Sequence, residues 1–166
     1  MNVGCVGSRD LSPEQILICE SIGKYLASHG HTVVSGNAKG ADQAFQRGAG
    51  DGAVILCLPW AKYELAARPK VTAAVYTEYG MEDWEVALKC HPAWARLSEA
   101  VQKLMVRNAA IVRLSEKIVA WSRLDARGKW TGGTSHTLRC AELLGKPIVD
   151  LSDPVVRARV LRQIER

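Results

Sequence analysis

The chain has 166 residues, 48% of them apolar and 23% charged, with Gly 14 and Pro 6; this is the profile of one ordinary soluble domain and excludes disulfide-scaffold, collagen-like and disordered classes. A domain of this length buries roughly 70% of the surface its unfolded chain exposes, so neither disulfides nor a metal are needed to hold it. The net charge of +5 is uneven: residues 1–99 hold 9 Lys/Arg against 11 Asp/Glu, and residues 100–166 hold 13 against 6, which suits either an anionic partner or a solvated basic face.

Asn2 to Val6 is a short apolar run that ends at Gly7-Ser8-Arg9. Ser12-Pro13-Glu14-Gln15 then opens a helix, with Ser as N-cap, Pro at the first helical position and Gln three residues after the cap. Ile16, Leu17, Cys19, Ile22 and Leu26 recur at helical spacing, and Gly30 marks the stop near Ser28-His29. Thr32 to Ser35 reads as a second strand, followed by Gly36 to Asp42 and a helix to about Arg47. Ala53 to Leu58 is apolar without alternation, as expected of a strand covered on both faces in a parallel sheet. Residues 61–97 are less regular, with a strand at Ala73 to Tyr76 and a short helix near Glu82 to Leu88. Ser98 caps a helix carrying Val101, Leu104, Met105, Ala109 and Val112, and Lys117 to Trp121 is another strand. Ser122 to Thr131 reads as a polar loop. Gly132-Gly133-Thr134 leads into a helix closed by Gly145, Pro147 to Asp150 is the last strand, and Asp153-Pro154 caps an arginine-rich terminal helix.

Strands alternating with helices predict an α/β, Rossmann-like doubly wound fold with a mostly parallel sheet in a single domain, whose ligands bind where loops leave the C-terminal ends of the strands. No apolar run approaches the roughly 20 residues of a membrane span, and the N-terminus lacks the pattern of a secretory signal. No membrane association and a cytoplasmic location are expected. Cys5, Cys19, Cys57, Cys90 and Cys140 are scattered without metal-site or CxxC spacing and read as reduced core residues. Neither a metal nor a cofactor is expected.

Three glycine-bearing turns follow predicted strands: Gly7-Ser8-Arg9, Gly36 to Asp42 and Gly132-Gly133-Thr134. Each can present backbone N–H groups at a helix N-terminus, where phosphate is favoured, and glycine permits close approach of backbone to ligand. None is a GxGxxG fingerprint or a GxxxxGK[ST] loop. Arg107-Asn108 sits mid-helix among apolar positions; its guanidinium either pairs with ligand phosphate or joins a buried hydrogen-bond network. Asp42 bonds a ribose hydroxyl or favours the start of its helix. His136 is a general acid or base, or bonds backbone or ligand. Trp60, after Pro59 at a strand end, is placed to stack on a base.

Taken together, Val6-Gly7-Ser8-Arg9, the run Val34-Ser35-Gly36-Asn37-Ala38-Lys39-Gly40-Ala41-Asp42, Leu58-Pro59, Arg107-Asn108 and Gly132-Gly133-Thr134 resemble the SLOG superfamily, in particular its YspA/YpsA-like branch of bacterial and phage proteins. That superfamily also holds the DprA/Smf DNA-processing proteins and the LOG phosphoribohydrolases. The resemblance implies a Rossmann-like fold that binds nucleotides or nucleotide-derived ligands, often as a dimer. It implies ligand contacts from Gly7, Ser8, Arg9, Ser35, Gly36, Asn37, Ala38, Gly40, Asp42, Pro59, Trp60, Arg107, Asn108, Gly132, Gly133, Thr134, Ser135, His136 and Thr137. LOG enzymes carry GGxGTxxE, whose Glu assists N-glycosidic cleavage; here Arg139 stands near that place and Glu142 lies a turn further on.

Three functions are therefore expected in order. The first is binding of a nucleotide-derived small molecule by a sensor or sequestering module, as a homodimer or higher homo-oligomer. The second is an N-glycosidase acting on nucleoside monophosphates. The third is DprA-like binding of single-stranded DNA along the basic C-terminal half.

Overall fold

A computed structural model describes residues 1–165 of the chain. Its strands in chain order are β1 (Asn2–Gly7), β2 (Thr32–Ser35), β3 (Val54–Cys57), β4 (Ala74–Tyr76), β5 (Lys117–Trp121), β6 (Arg123–Leu124), β7 (Trp130–Thr131) and β8 (Ile148–Asp150). Its helices are α1 (Pro13–Ser28), α2 (Ala41–Ala49), α3 (Met81–Lys89), α4 (Glu99–Leu114), α5 (Gly132–Leu143) and α6 (Pro154–Ile164). Six strands form one parallel sheet in the order β4-β3-β2-β1-β5-β8. The chain winds outward from β1 in one direction and then in the other, so the expected doubly wound α/β architecture is present.

Local chemistry sets the element ends. Ser12 and Gln15 form a reciprocal capping box at α1, Ser98 caps α4, and Asp153 accepts from two backbone N–H groups at the start of α6. Side chains alternate between the faces of the sheet, and both faces are buried. Val3, Cys5, Val33, Leu56 and Val119 pack with α1 and α2, whereas Val6, Val34, Cys57, Ile118 and Ala120 pack with α3, α4 and α5. This is why the strands read as continuous apolar runs. All five cysteines are free and buried.

Helices α1 and α2 cross backbone to backbone. A Cβ on Gly23 would collide with the Phe45 carbonyl, and one on Gly48 with the Glu20 carbonyl. Residues 122–131 depart from the expected loop: β6 and β7 pair antiparallel in a hairpin. Two-residue strands are too short to show a sequence period, and the turn is held by Asp125, whose carboxylate accepts from the N–H groups of Arg127 and Lys129. Between residues 61 and 97 the expected strand and helix are present as β4 and α3, flanked by single turns of 3₁₀ helix, Leu65–Ala67 before β4 and Trp94–Arg96 after α3. Among the described residues no helix is long and apolar enough to cross a membrane.

Candidate functional site

The winding direction reverses between β1 and β5, and at the C-terminal ends of these strands the following loops part and leave a crevice. A cavity of about 350 Å³ occupies it. The turn Gly7-Ser8-Arg9-Asp10 forms one wall, and Arg107 and Asn108 of α4 form the floor with Leu104 and Met105. Gly132, Gly133, Thr134 and Thr137 of α5 close the opposite side, while Ala38 and Asp42 reach in from the loop after β2 and Arg123 from the hairpin.

Asp42 organises this end of the sheet. Its buried carboxylate accepts from the backbone N–H of Gly7 at 3.2 Å, Gly36 at 3.1 Å and Ala38 at 3.4 Å. Burial pushes its pKa up to about 6, against the opposing pull of the Arg107 guanidinium and the three N–H donors. The carboxylate therefore ties the first two glycine turns to each other, and three of the N–H groups expected there to cradle phosphate, those of Gly7, Gly36 and Ala38, are taken by a protein group. The Ser8 N–H is likewise committed, to the Trp121 carbonyl at 2.8 Å.

The third turn is different. Thr131 provides no side-chain cap for α5, and among the described residues the N–H groups of Gly132, Gly133 and Thr134 have no protein acceptor. Gly132 has φ +74, and a Cβ on Gly133 would meet no atom within 4 Å. The open first turn of a twelve-residue helix thus faces the cavity with its partial positive charge uncompensated.

Arg107 lies opposite. It is buried, donates to the Gly36 carbonyl, and sits 5.5 Å from the centre of the Tyr63 ring. No carboxylate among the described residues comes within ion-pair distance of it, and its Nε has no acceptor at all. A buried guanidinium with unspent donors is costly unless an anion completes it. Arg9, exposed at the mouth, donates to the Tyr63 hydroxyl at 3.3 Å, and Arg123 stands 3.5 Å from Asp10.

Of the residues singled out from sequence, Gly7, Ser8, Arg9, Ala38, Asp42, Arg107, Asn108, Gly132, Gly133, Thr134 and Thr137 line this cavity. The others do different work. Ser35 is buried and accepts from Gln46 at 2.7 Å; Gly36 gives its carbonyl to Arg107; Asn37, at φ 60, holds the Tyr63 and Glu64 carbonyls through its side chain. Gly40, at φ +88, packs on the Ser8 and Arg9 backbone. Pro59 is buried, and Trp60 stands 40% exposed, edge-on to Tyr63 at 5.3 Å. Ser135 bonds back to the Gly132 carbonyl. His136 is buried beneath the α5 turn, its Nε2 2.9 Å from the Ala87 carbonyl. Burial lowers its pKa to about 4, so it is neutral at physiological pH. Arg139 is engaged with the Cys90 carbonyl and the Ser135 hydroxyl.

Sequence reasoning missed Val6, Asp10, Leu104, Met105, Arg123 and Thr131 among the lining residues. Leu104 is discoverable, one helical turn before Arg107 and Asn108. Arg123 had no signal, because the hairpin that carries it had none.

The chain is a single-domain α/β protein with a parallel, Rossmann-like doubly wound sheet. The family model described as DNA recombination-mediator protein A matches residues 1–161, and the chain belongs to that family, in keeping with the resemblance to the SLOG superfamily and its DprA relatives. Among solved structures it is similar to DNA processing protein A of Helicobacter pylori, described for its single-stranded DNA binding mode. The TM-score is 0.57 at 16% identity, over 90% of this chain and 64% of that one. It is also similar to the protein TM1055, with TM-score 0.55 at 20% identity, over 89% of this chain and 71% of that one. The chain thus spans a little under two thirds of the Helicobacter protein. No curated protein matches it.

Proposed function

We propose that the protein binds single-stranded DNA and seats a backbone phosphate in the cavity between the first turn of α5 and Arg107. The observation that carries this reading is that one cavity is lined both by Gly132 to Thr134, whose N–H groups have no protein acceptor, and by Arg107, a buried guanidinium with no carboxylate within ion-pair distance. Phosphate satisfies both at once. Membership of the family and the likeness to the Helicobacter protein support a DNA ligand, and Arg9 and Arg123 at the mouth offer cations to the phosphates on either side.

The size of the cavity favours a second reading. About 350 Å³ is a single small-molecule volume, which suits a mononucleotide or nucleotide-derived ligand held by the same donors. N-glycosidic cleavage gains nothing from the geometry: Arg139 stands where the LOG pattern has Glu, and neither it nor Glu142 lines the cavity.

Fluorescence anisotropy with labelled oligo-dT, titrated over a range of salt, tests the proposal. Binding that tightens with oligonucleotide length and weakens steeply with salt is the expected result, because each neutralised phosphate releases counterions. Binding of dTMP or AMP as tightly as the oligonucleotide, with a shallow salt slope, replaces it by the mononucleotide reading.

A further inference from the structure

Beside the cavity, a single side chain fills a space between two of its cations. Residues 60–70 follow β3 as a surface segment bracketed by Pro59 and Pro69, and among them Tyr63 is the only buried residue. The segment is bonded to itself: the Tyr63 N–H donates to the Trp60 carbonyl at 3.1 Å, and Arg68 donates through Nη2 to the Ala61 and Tyr63 carbonyls. Held by its own bonds, it can leave the body of the protein as a unit. Its one inserted ring lies between Arg9, which donates to the Tyr63 hydroxyl at 3.3 Å, and the Arg107 guanidinium, 5.5 Å from the ring centre. Trp60 meets the same ring edge-on at 5.3 Å. The docking is incomplete. Asn37 donates to the Tyr63 and Glu64 carbonyls at 3.4 and 3.0 Å, yet its Oδ1 is wholly buried with no partner among the described residues, and neither has the Nε of Arg68 on the segment side. Glu64 is held at φ 44°, a left-handed conformation that a residue with a side chain rarely adopts. Unmatched polar groups and a strained turn at the point of docking are conditions under which another occupant can take the place of the ring.

We propose that the space filled by Tyr63 is a nucleobase subsite, which a base of the bound strand enters by displacing the tyrosine and stacking on Arg107. The proposal rests on the DNA reading above and adds the base to it. Arg107 both lines the cavity where the phosphate is seated and carries the Tyr63 ring, so one guanidinium serves phosphate and base of the same strand. A flat aromatic ring against a guanidinium, with a donor at its polar edge, is the setting that a base takes in single-strand binding proteins, and it tolerates any base because each has a π-face. Tyr63 is then a plug. It covers Arg107 in the empty protein and moves out with its segment when a base arrives. Because ring and base compete, affinity is lowered by the fraction of molecules in which the plug is docked. A phosphate chain stripped of its bases has nothing to put in the subsite and is indifferent to the plug.

Fluorescence anisotropy on the full chain, with labelled oligo-dT and an abasic chain of the same length, tests the subsite; far-UV circular dichroism confirms that each variant is folded. Tyr63→Ala is expected to bind oligo-dT roughly threefold or more tighter than the wild type, since no plug competes, and to bind the abasic chain unchanged. Tyr63→Phe keeps the ring and loses only the hold of Arg9, so it shifts oligo-dT in the same direction by less and guards against a packing defect in Tyr63→Ala. In the wild type, trypsin cleavage after the exposed Lys62 should quicken when oligo-dT is added and stay unchanged with the abasic chain. Oligo-dT affinity that is unchanged or weaker in Tyr63→Ala, a shift shared by both chains, or cleavage after Lys62 that oligo-dT fails to quicken overturns the subsite and leaves the DNA reading standing. Oligo-dT bound neither by the wild type nor by either variant removes the DNA reading and the subsite together.

Discussion

Arg107 occupies the place that a side chain on Gly36 would take. Its guanidinium donates to the Gly36 carbonyl, and a Cβ on that glycine would collide with Nη1 and lie 3.0 Å from the Asp42 carboxylate. The two turns after β1 and β2, joined through Asp42, are thereby fitted to a residue on α4, more than seventy positions later in the chain.

Gly36→Ala is expected to displace the guanidinium and to cost roughly 1–3 kcal/mol of stability, the usual price of an overpacked core site. Arg107→Ala removes the obstacle, so the two substitutions should be strongly non-additive in a urea-unfolding double-mutant cycle. Additive losses would mean that the pair does not share the space.

Arg107→Ala alone separates stability from binding. The partner in the protein is a backbone carbonyl rather than a carboxylate, so the loss of apo stability should stay near 1–3 kcal/mol for one unsatisfied buried acceptor, short of the 3–5 kcal/mol of a broken buried ion pair. Oligo-dT affinity should fall by roughly tenfold or more, since charge-assisted bonds to phosphate are lost. Unchanged affinity removes Arg107 from the site.

Asp42 makes stability depend on pH in an unusual direction. Its pKa rises from an ordinary 3.8 to about 6 in the folded protein, because burial opposes its charge. The folded state then holds the proton that the unfolded state has released between about pH 4 and pH 6, so the contribution of Asp42 to stability is full below that window and is lost as pH rises through it, by roughly 2–3 kcal/mol. Asp42→Asn should flatten the slope of unfolding free energy over this range. An unaltered slope in the variant refutes the assignment.

Gly48→Ala reverses a general rule. Alanine in a helix interior normally gains roughly 1 kcal/mol over glycine, yet here the added carbon meets the Glu20 backbone carbonyl at the α1–α2 crossing. A net loss of roughly 1–3 kcal/mol in thermal or urea unfolding is expected. Gly80→Ala, with no atom within 4 Å of its Cβ and φ of −76°, has no such collision and should lose only the smaller amount, under about 1 kcal/mol, that alanine costs at a helix N-cap.

The order and kind of the main elements were legible because their causes are local. The capping box of Ser12 and Gln15, the stop at Gly30 and the apolar run into Cys57 act within a few residues, and each stands where expected. The β6–β7 hairpin had no such cause, being four ladder residues around one aspartate, and it brought Arg123 to the cavity unannounced.

What the glycines are for was decided only by tertiary structure. Three similar turns follow three strands, and sequence treats them alike. In the fold, the N–H groups of Gly7 and Gly36 are taken by Asp42 and Gly40 stands against the Ser8 backbone, whereas among the described residues the three successive N–H groups of Gly132 to Thr134 have no protein acceptor. His136, four residues into the same helix, faces the core instead, with its Nε2 against the Ala87 carbonyl of α3. A donor's availability depends on which acceptor the rest of the chain delivers to it; that is a matter of packing across β1, α2, α4 and α5, whereas the strands and helices themselves follow from the residues within each.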